Sequence, residues 1–109
     1  MYTNGVNHMS TKKVPGGKLL RIKLDTDNIS ICALQISGDF FLHPEEALPK
    51  IEEALVGLPT AISAEALSQK INETLAQEKA AFIGVTAEDI AATIIEAIGT
   101  EQTAQTAHV

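Results

Sequence analysis

The fold is decided by residues 18–41, which read KLLRIKLDTDNISICALQISGDFF. Within 18–24, apolar and basic residues alternate, and this period of two is typical of a strand with one buried and one solvated face. Turn-forming residues follow at 25–28, and the apolar stretch 29–37 predicts a second strand. Because the connection is short, the two strands are expected to form an antiparallel hairpin.

The second predicted strand, residues 29–37, has apolar side chains on both of its faces. We therefore expect it to lie centrally in the sheet, covered on both sides, or to carry a bulge near Cys32. Gly38-Asp39 then interrupts the pattern. Residues 40–42 are expected to form a short third strand, or a turn that packs two aromatic rings into the core. The sequence thus predicts a small sheet of two to three strands that begins with a hairpin.

Helical signals fill the remainder of the chain. The first helix is expected to begin at 43–46, where a proline and two acids favour an N-terminus. Pro49 leaves two alternatives, a single turn that ends near Leu48 before a fresh helix starts, or one helix that is kinked at the proline. The second helix is expected to be capped by Ser63, and the third by a capping box at 86–89. Apolar residues recur at helical spacing at Leu48, Ile51, Leu55, Leu58, Leu67, Ile71, Leu75, Ile90, Ile94, Ala97 and Ile98.

Strands followed by helices indicate an α+β domain, in which three helices cover one face of the small antiparallel sheet. The 109 residues suffice for one domain, and the apolar content of 45% is enough for a core. That core is expected to be aliphatic, since aromatic residues make up only 4% of the chain. We expect a flexible basic arm at 1–13, in which Met9 is an alternative start, a domain at 14–99, and a polar tail at 100–109.

Several protein classes are excluded by composition. No apolar run approaches the roughly 18 residues that a membrane-spanning helix needs. The polar residues 1–10 show no secretory signal. The single cysteine, Cys32, excludes an internal disulfide framework. These features predict a protein of the reducing cytoplasm with no membrane partner.

Charge is divided unevenly along the chain, whose net charge is −6. Residues 1–24 carry five cations and no acid, whereas residues 25–109 carry all 14 acids against three lysines. An acidic protein is poorly suited to general binding of nucleic acid, so no nucleic-acid partner is expected. The basic segment suits a localised contact with an acidic partner or a phosphate-bearing ligand, or else it keeps an edge strand soluble.

Catalytic and metal-binding arrangements are not evident in the sequence. The three histidines, His8, His43 and His108, do not combine with Cys, Asp or Glu at a metal-ligand spacing, so no metal site is predicted. Cys32 lies in the middle of an apolar strand and is expected to be an inert, buried thiol. No Ser-His-Asp or Cys-His pattern is visible, and no catalytic residue is predicted.

Two glycine-containing motifs are more distinctive. Gly16-Gly17-Lys18 has the composition of the end of a phosphate loop, but a strand follows it where that loop requires a helix. Its lysine is expected either to reach a phosphate or carboxylate as a point charge, or to be solvated at the start of an edge strand. In Gly38-Asp39-Phe40-Phe41, the acid is expected to bond turn amides rather than to act in catalysis, because no partner group is identifiable.

Five segments occur in a fixed order, VPGGKLLR at 14–21, ISGDFF at 36–41, PEE at 44–46, LVG at 55–57 and GVTAEDI at 84–90. Together they resemble the small accessory domain of lipoate-protein ligases, over roughly residues 13–98. In many ligases this domain is the C-terminal part of the chain. In bipartite ligases it is a separate subunit, and this chain resembles that form.

The resemblance implies a non-catalytic accessory subunit that forms a heterodimer with a catalytic subunit. Such a ligase uses lipoate, ATP and magnesium to form lipoyl-adenylate, and then transfers the lipoyl group to a lysine of a carrier domain. The catalytic subunit's own glycine-rich signature is absent here, so no cofactor is expected to bind this chain alone. The residues expected to contact the partner or its active site are Gly16, Gly17, Lys18 and Arg21. Those expected to form a structural motif are Gly38, Asp39, Phe40 and Phe41.

Two alternative functions belong to other classes. The accessory domain is similar in fold to sulfur-acceptor and iron–sulfur scaffold proteins, whose chemistry requires an exposed thiolate on a loop. A central, buried position of Cys32 would argue against that role. The other alternative is a general protein-interaction module that uses the wide apolar face of the third helix.

Overall fold

A computed structural model describes residues 6–14, 16, 18–27 and 29–99. It confirms an α+β architecture with three helices and an antiparallel hairpin. The main sheet has three strands in the order β1-β2-β3, and a separate two-stranded ribbon pairs β4 with β5. The elements are β1 (Val6–Lys13), β2 (Leu19–Thr26), β3 (Ile31–Gly38), β4 (Phe41–His43), α1 (Ala47–Leu55), α2 (Ala64–Glu78), β5 (Ala81–Ile83) and α3 (Ala87–Ile98).

The prediction of a flexible arm is wrong for residues 6–13, which form strand β1. This strand pairs with β2 along its whole length, from Val6 opposite Thr26 to Lys13 opposite Leu19. Of its four inward-facing positions only Val6 is aliphatic, and the other three are His8, Ser10 and Lys12, so the usual strand pattern is absent from the sequence. The rest of the expected arm, residues 1–5, and the expected tail, 100–109, lie outside the described residues.

The hairpin of β2 and β3 is built as the alternation predicts, with Leu20, Ile22 and Leu24 buried on its inner face. However, β3 is an edge strand, so the prediction that it is central and covered on both sides is wrong. The alternative prediction of a bulge is confirmed. Asp25 faces Ala33 whereas Thr26 faces Ile31, which leaves Cys32 as the extra residue on β3. The bulge shifts the strand's phase, and this explains why apolar residues seem to occupy both faces in the sequence.

The short third strand exists as β4, but it pairs with β5 and not with the main sheet. In the ribbon, Phe41 lies opposite Ile83 and Leu42 lies opposite Phe82. Phe40, just before β4, contacts Phe82 edge to face, with ring centroids 5.6 Å apart. The ribbon therefore attaches the segment after β3 to the chain that enters α3.

Helix α1 begins at Ala47 and not at 43–46, because residues 44–46 form a turn in which Pro44 and Glu45 carbonyls accept from Ala47 and Leu48. Pro49 is the third residue of the helix, within the first turn, where a backbone N–H has no intrahelical acceptor. The proline therefore neither ends a turn nor kinks the helix, and both predicted alternatives are replaced by one helix that begins two residues before it.

The two predicted N-caps are confirmed. The Ser63 hydroxyl accepts from the Ala66 N–H at the start of α2. At the start of α3, the Thr86 hydroxyl accepts from the Asp89 N–H, and the Asp89 carboxylate accepts from the Thr86 N–H, both at 3.0 Å. These caps fix where both helices enter the core.

The helices cover one face of the sheet, as predicted, with α3 against β1 and β2 and α1 against β3. The wide apolar face of α3 is buried against these strands and α2, so it does not form the exposed surface that a general interaction module would use. The buried aliphatic core comprises Val14, Leu20, Ile22, Leu24, Ile31, Ile36, Leu42, Ala47, Ile51, Leu55, Leu67, Ile71, Val85, Ala87, Ile90, Ala91, Ile94 and Ala97.

A buried histidine, missed by sequence reasoning, joins β1 to this core. His8 is 3% exposed, and its Nδ1 lies 3.0 Å from the Ala97 carbonyl near the end of α3. Because a carbonyl only accepts, Nδ1 donates this bond, and in the neutral ring Nε2 accepts from the Thr26 hydroxyl at 2.9 Å. The histidine thus connects β1, β2 and α3.

Candidate functional site

One end of the main sheet carries the first glycine motif, in the turn between β1 and β2. The turn is closed where the Val14 N–H donates to the Lys18 carbonyl at 2.8 Å. Gly16 has a φ of 97° and open space around it, so glycine is required there by backbone conformation and not by crowding. Lys18 is exposed, and Gly17 lies outside the described residues. The turn therefore presents an ammonium group to solvent from a closed backbone loop.

The second glycine motif lies at the same end of the sheet, because antiparallel pairing places Leu20 opposite Gly38. The Asp39 N–H donates to the Leu19 carbonyl at 2.8 Å. Gly38 has a φ of 146°, and a Cβ built on it would clash with that same carbonyl oxygen. Only glycine allows so close an approach. This contact joins the two motifs into one feature of the surface.

The two motifs line a shallow depression of about 500 Å³. Among its lining residues, Lys18 supplies a cation, Asp39 a carboxylate and Phe41 an aromatic ring. Asp39 is exposed, and its backbone N–H, not its carboxylate, makes the structural hydrogen bond here. The arrangement offers a cation for an anionic group and an aromatic surface for an apolar one within the same depression. Its lining residues are Gly16, Lys18, Gly38, Asp39, Phe40 and Phe41.

The two phenylalanines have different roles, which corrects the prediction that both pack into the core. Phe40 is half-buried against Phe82, whereas Phe41 is 70% exposed. Its cross-strand neighbour Ile83 is 60% exposed. Phe41 also borders a second groove of about 380 Å³ that extends to the start of α1 at Leu48. Exposed aromatic and aliphatic side chains beside a groove are typical of interaction surfaces.

The basic residues of the N-terminal segment are separated by the sheet. Arg21 does not line the depression but lies on the open face of the sheet, between Thr11 and Ser37 on the neighbouring strands. Lys12 points to the helical side, where its Nζ lies 2.8 Å from Glu96 of α3. Lys18 therefore stands alone among the predicted contact residues as a cation at the depression.

Cys32 is exposed, so the prediction of a buried thiol is wrong. Partial desolvation raises the pKa of Cys32, and the nearby Asp27 carboxylate raises it further. The Asp27 carboxylate is held by the Ile29 and Ser30 N–H groups, which lower its pKa and keep it charged. Exposure removes the burial that would have argued against a sulfur-carrier role, whereas the raised pKa favours the protonated thiol over the thiolate that such a role uses.

Metal-binding geometry is absent from the part of the chain that the structure describes, where no three His, Cys, Asp or Glu side chains come together. His8 is occupied by structural hydrogen bonds, and His43 is exposed in β4. His108 lies outside the described residues. Within the same described part, no helix is both long and apolar enough to cross a membrane.

Comparison with known families shows which proteins this chain is related to. Residues 3–94 match the family model described as the bacterial lipoate protein ligase C-terminus. The chain belongs to this family. The match includes β1, so the strand that the sequence patterning missed is part of the ligase C-terminal domain.

A curated relative and a solved structure come from the same archaeon. The chain is 39% identical over 59 residues to the lipoate-protein ligase A subunit 2 of Thermoplasma acidophilum, a match that covers 52% of this chain and 63% of the relative. It is also similar to a chain from a structural study of a bi-partite lipoate protein ligase and its E2 lipoyl domain from T. acidophilum, with a TM-score of 0.64 and 29% identity. That similarity covers 81% of this chain and 96% of the other.

Proposed function

We propose that this ligase C-terminal domain acts as the accessory, non-catalytic subunit of a bipartite lipoate-protein ligase. In this role it pairs with a catalytic subunit as a heterodimer and is needed for the ATP-dependent activation of lipoate to lipoyl-adenylate. The complex uses lipoate, ATP and magnesium, and the lipoyl group passes to a carrier domain that the accessory subunit meets only indirectly. The proposed setting is the cytoplasm.

The observation that carries this proposal is the depression in which Lys18 and Phe41 meet, in a chain whose family is that of ligase C-termini. Adenylation moves negative charge among phosphate oxygens, and a positioned cation stabilises such charge. Phe41 offers exposed apolar area that a partner can bury. A cation beside an aromatic anchor suits a surface that docks next to another protein's phosphate-binding centre.

The mechanism that we propose is a shift of the partner's conformational equilibrium. If the accessory subunit binds the closed arrangement of the catalytic subunit more tightly than the open one, it raises the population that is competent for adenylation. The turn of Gly16, Gly17 and Lys18 faces the partner's active centre, and Arg21 contacts the partner from the adjoining sheet face. Bond formation remains the task of the catalytic subunit.

The test uses the purified full chain, a ligase catalytic subunit that lacks this domain, lipoate and ATP, with pyrophosphate release as the measure of adenylate formation. We expect little release from either protein alone and rapid release from the mixture. Lys18→Ala is expected to slow release by about tenfold or more, which corresponds to at least about 1.4 kcal/mol. Transfer from preformed lipoyl-adenylate is expected to be unchanged.

Lys50→Ala is the matched control, because Lys50 is an exposed lysine on α1, away from the depression. It is expected to leave pyrophosphate release unaltered. If the Lys18→Ala chain supported pyrophosphate release as fast as the unaltered chain does, Lys18 would have no part in the mechanism. Equal activity of the catalytic subunit with and without this chain would overturn the accessory function itself.

A further inference from the structure

The face of the main sheet opposite the helices is exposed and basic. Its outward positions on β2 are Leu19, Arg21 and Lys23, with Asp25 at the far end, and β1 adds Lys13 at the end near the glycine motifs. The remaining outward positions are uncharged, namely Asn7, Met9 and Thr11 on β1 and Ala33, Gln35 and Ser37 on β3.

The charge of this face contrasts with the rest of the molecule. Residues 25–109 hold all 14 acids of the chain. Among the acids that the structure describes, only Asp25 lies on the open face, where it accepts from the Asn7 amide at 2.7 Å. The ion pair found among the described residues is made by Lys12 on the helical side. On the open face, the positions paired with Lys13 and Arg21 hold no acid, and Asp25 follows Lys23 along β2, so three cations against one acid leave this face with a net positive charge. Uncompensated charge of one sign on an acidic protein creates a local field that attracts an oppositely charged surface.

We infer that the open face formed by Lys13, Arg21 and Lys23 is a docking surface for an acidic protein surface, namely a region of the ligase catalytic subunit beside its active centre. This inference rests on the proposed function. The occupant follows from continuity, because Lys13 lies at the base of the same turn that presents Lys18. A subunit that receives the turn in its active centre can therefore reach the open face without a break in the contact surface.

A protein fits this face better than a nucleic acid does. Single-stranded nucleic acid is bound by stacking on aromatic side chains, and the described outward positions of the main sheet, on β1, β2 and β3, hold none. Instead, Met9 is 42% exposed between the charged positions, which is a side chain favoured in protein interfaces.

The size of the face indicates that it forms only part of an interface. Three strands about 4.8 Å apart and about 25 Å long give a face on the order of 350 Å². A standard interface buries about 800 Å² on each partner. The exposed Phe41 and the glycine-motif turn at the adjoining end supply further contact area. Charge on the sheet face is then expected to contribute association rate and orientation as well as affinity.

The test measures binding of the full chain to the purified catalytic subunit by calorimetry, without lipoate or ATP. Reversing two charges, Lys13→Glu with Lys23→Glu, is expected to raise Kd by at least about tenfold at low salt. The effect is expected to shrink in 1 M salt, where charges more than about 3 Å apart are screened. The milder pair Lys13→Gln with Lys23→Gln, which adds no negative charge, is expected to show a smaller loss.

The matched control reverses Lys50 and Lys70, two exposed lysines on α1 and α2, and changes the net charge by the same amount. It is expected to bind like the unaltered chain. The docking face would be overturned if both double variants lost the same affinity, or if the sheet variant lost none. It would also be overturned if the substitutions changed only the association of this chain with itself. Because turnover is not involved, this result is separate from the activation assay, which alone decides the accessory function.

Discussion

Replacing Gly38 by alanine tests the contact that unites the two glycine motifs. At a φ of 146°, an L side chain is strained by about 1–3 kcal/mol. The added Cβ must also displace the Leu19 carbonyl, and losing the hydrogen bond from the Asp39 N–H costs about 1 kcal/mol more. We therefore expect the free energy of unfolding to fall by about 3 kcal/mol, measured by urea denaturation of the isolated chain.

Gly57→Ala separates the strain from the collision. Gly57 has a φ of 96° but no neighbouring atom within 4 Å of an added Cβ, so only the conformational strain of about 1–2 kcal/mol is expected. The difference of more than 1 kcal/mol between the two variants measures the close approach of β3 to β2. If both variants lose the same stability, the two motifs are not held together as described, and the depression is not a single preformed site.

Two further predictions concern side chains that the sequence assigned to the wrong environment. His8→Ala is expected to lower the free energy of unfolding by about 2–4 kcal/mol in urea denaturation, because it leaves a cavity and removes the bond to the Ala97 carbonyl. Met9→Thr on the exposed face of the same strand is expected to change it by less than about 0.5 kcal/mol, and equal effects would contradict a folded β1. For Cys32, the raised pKa predicts alkylation by iodoacetamide that is slower at pH 7 than that of free cysteine, with a rate that keeps rising at higher pH. Fast alkylation at pH 7 would return the sulfur-carrier alternative to consideration.

Local sequence signals predicted those elements whose stabilising contacts are local. The alternation in 18–24 predicted β2, and the Ser63 and Thr86 caps marked the starts of two helices, because hydroxyl and amide partners lie within one turn. Strand β1 was missed because its one buried position holds His8 and the inward positions that follow are polar, and because the partners of His8 are distant in sequence. Strand β5 was missed because three residues carry no period, and its partner β4 lies far away in the chain.

The sequence predicted the two glycine motifs of the candidate site, but it did not predict that they lie against each other. Both glycine motifs were recognised, yet their contact arises from the register of the hairpin, in which Leu20 lies opposite Gly38. That signal was available, since an antiparallel hairpin places the residue before its first strand beside the residue after its second. The exposure of Phe41 was not available, because it depends on the pairing of β4 with β5 at the periphery of the fold.

The folding of β1 changes how the proposed contact would work. A flexible arm that becomes ordered on docking would lose backbone entropy worth about 1 kcal/mol or more per residue, so ordering the eight residues of β1 would oppose binding by at least about 8 kcal/mol. In this structure β1 is ordered before any docking, because it pairs with all of β2 and because His8 is hydrogen-bonded to α3. Lys18 therefore follows directly on two paired strands, and docking has little further entropy to lose in those strands. A preorganised loop of this kind can favour one arrangement of a partner's active centre without supplying a catalytic group, because its binding energy is not consumed in its own ordering.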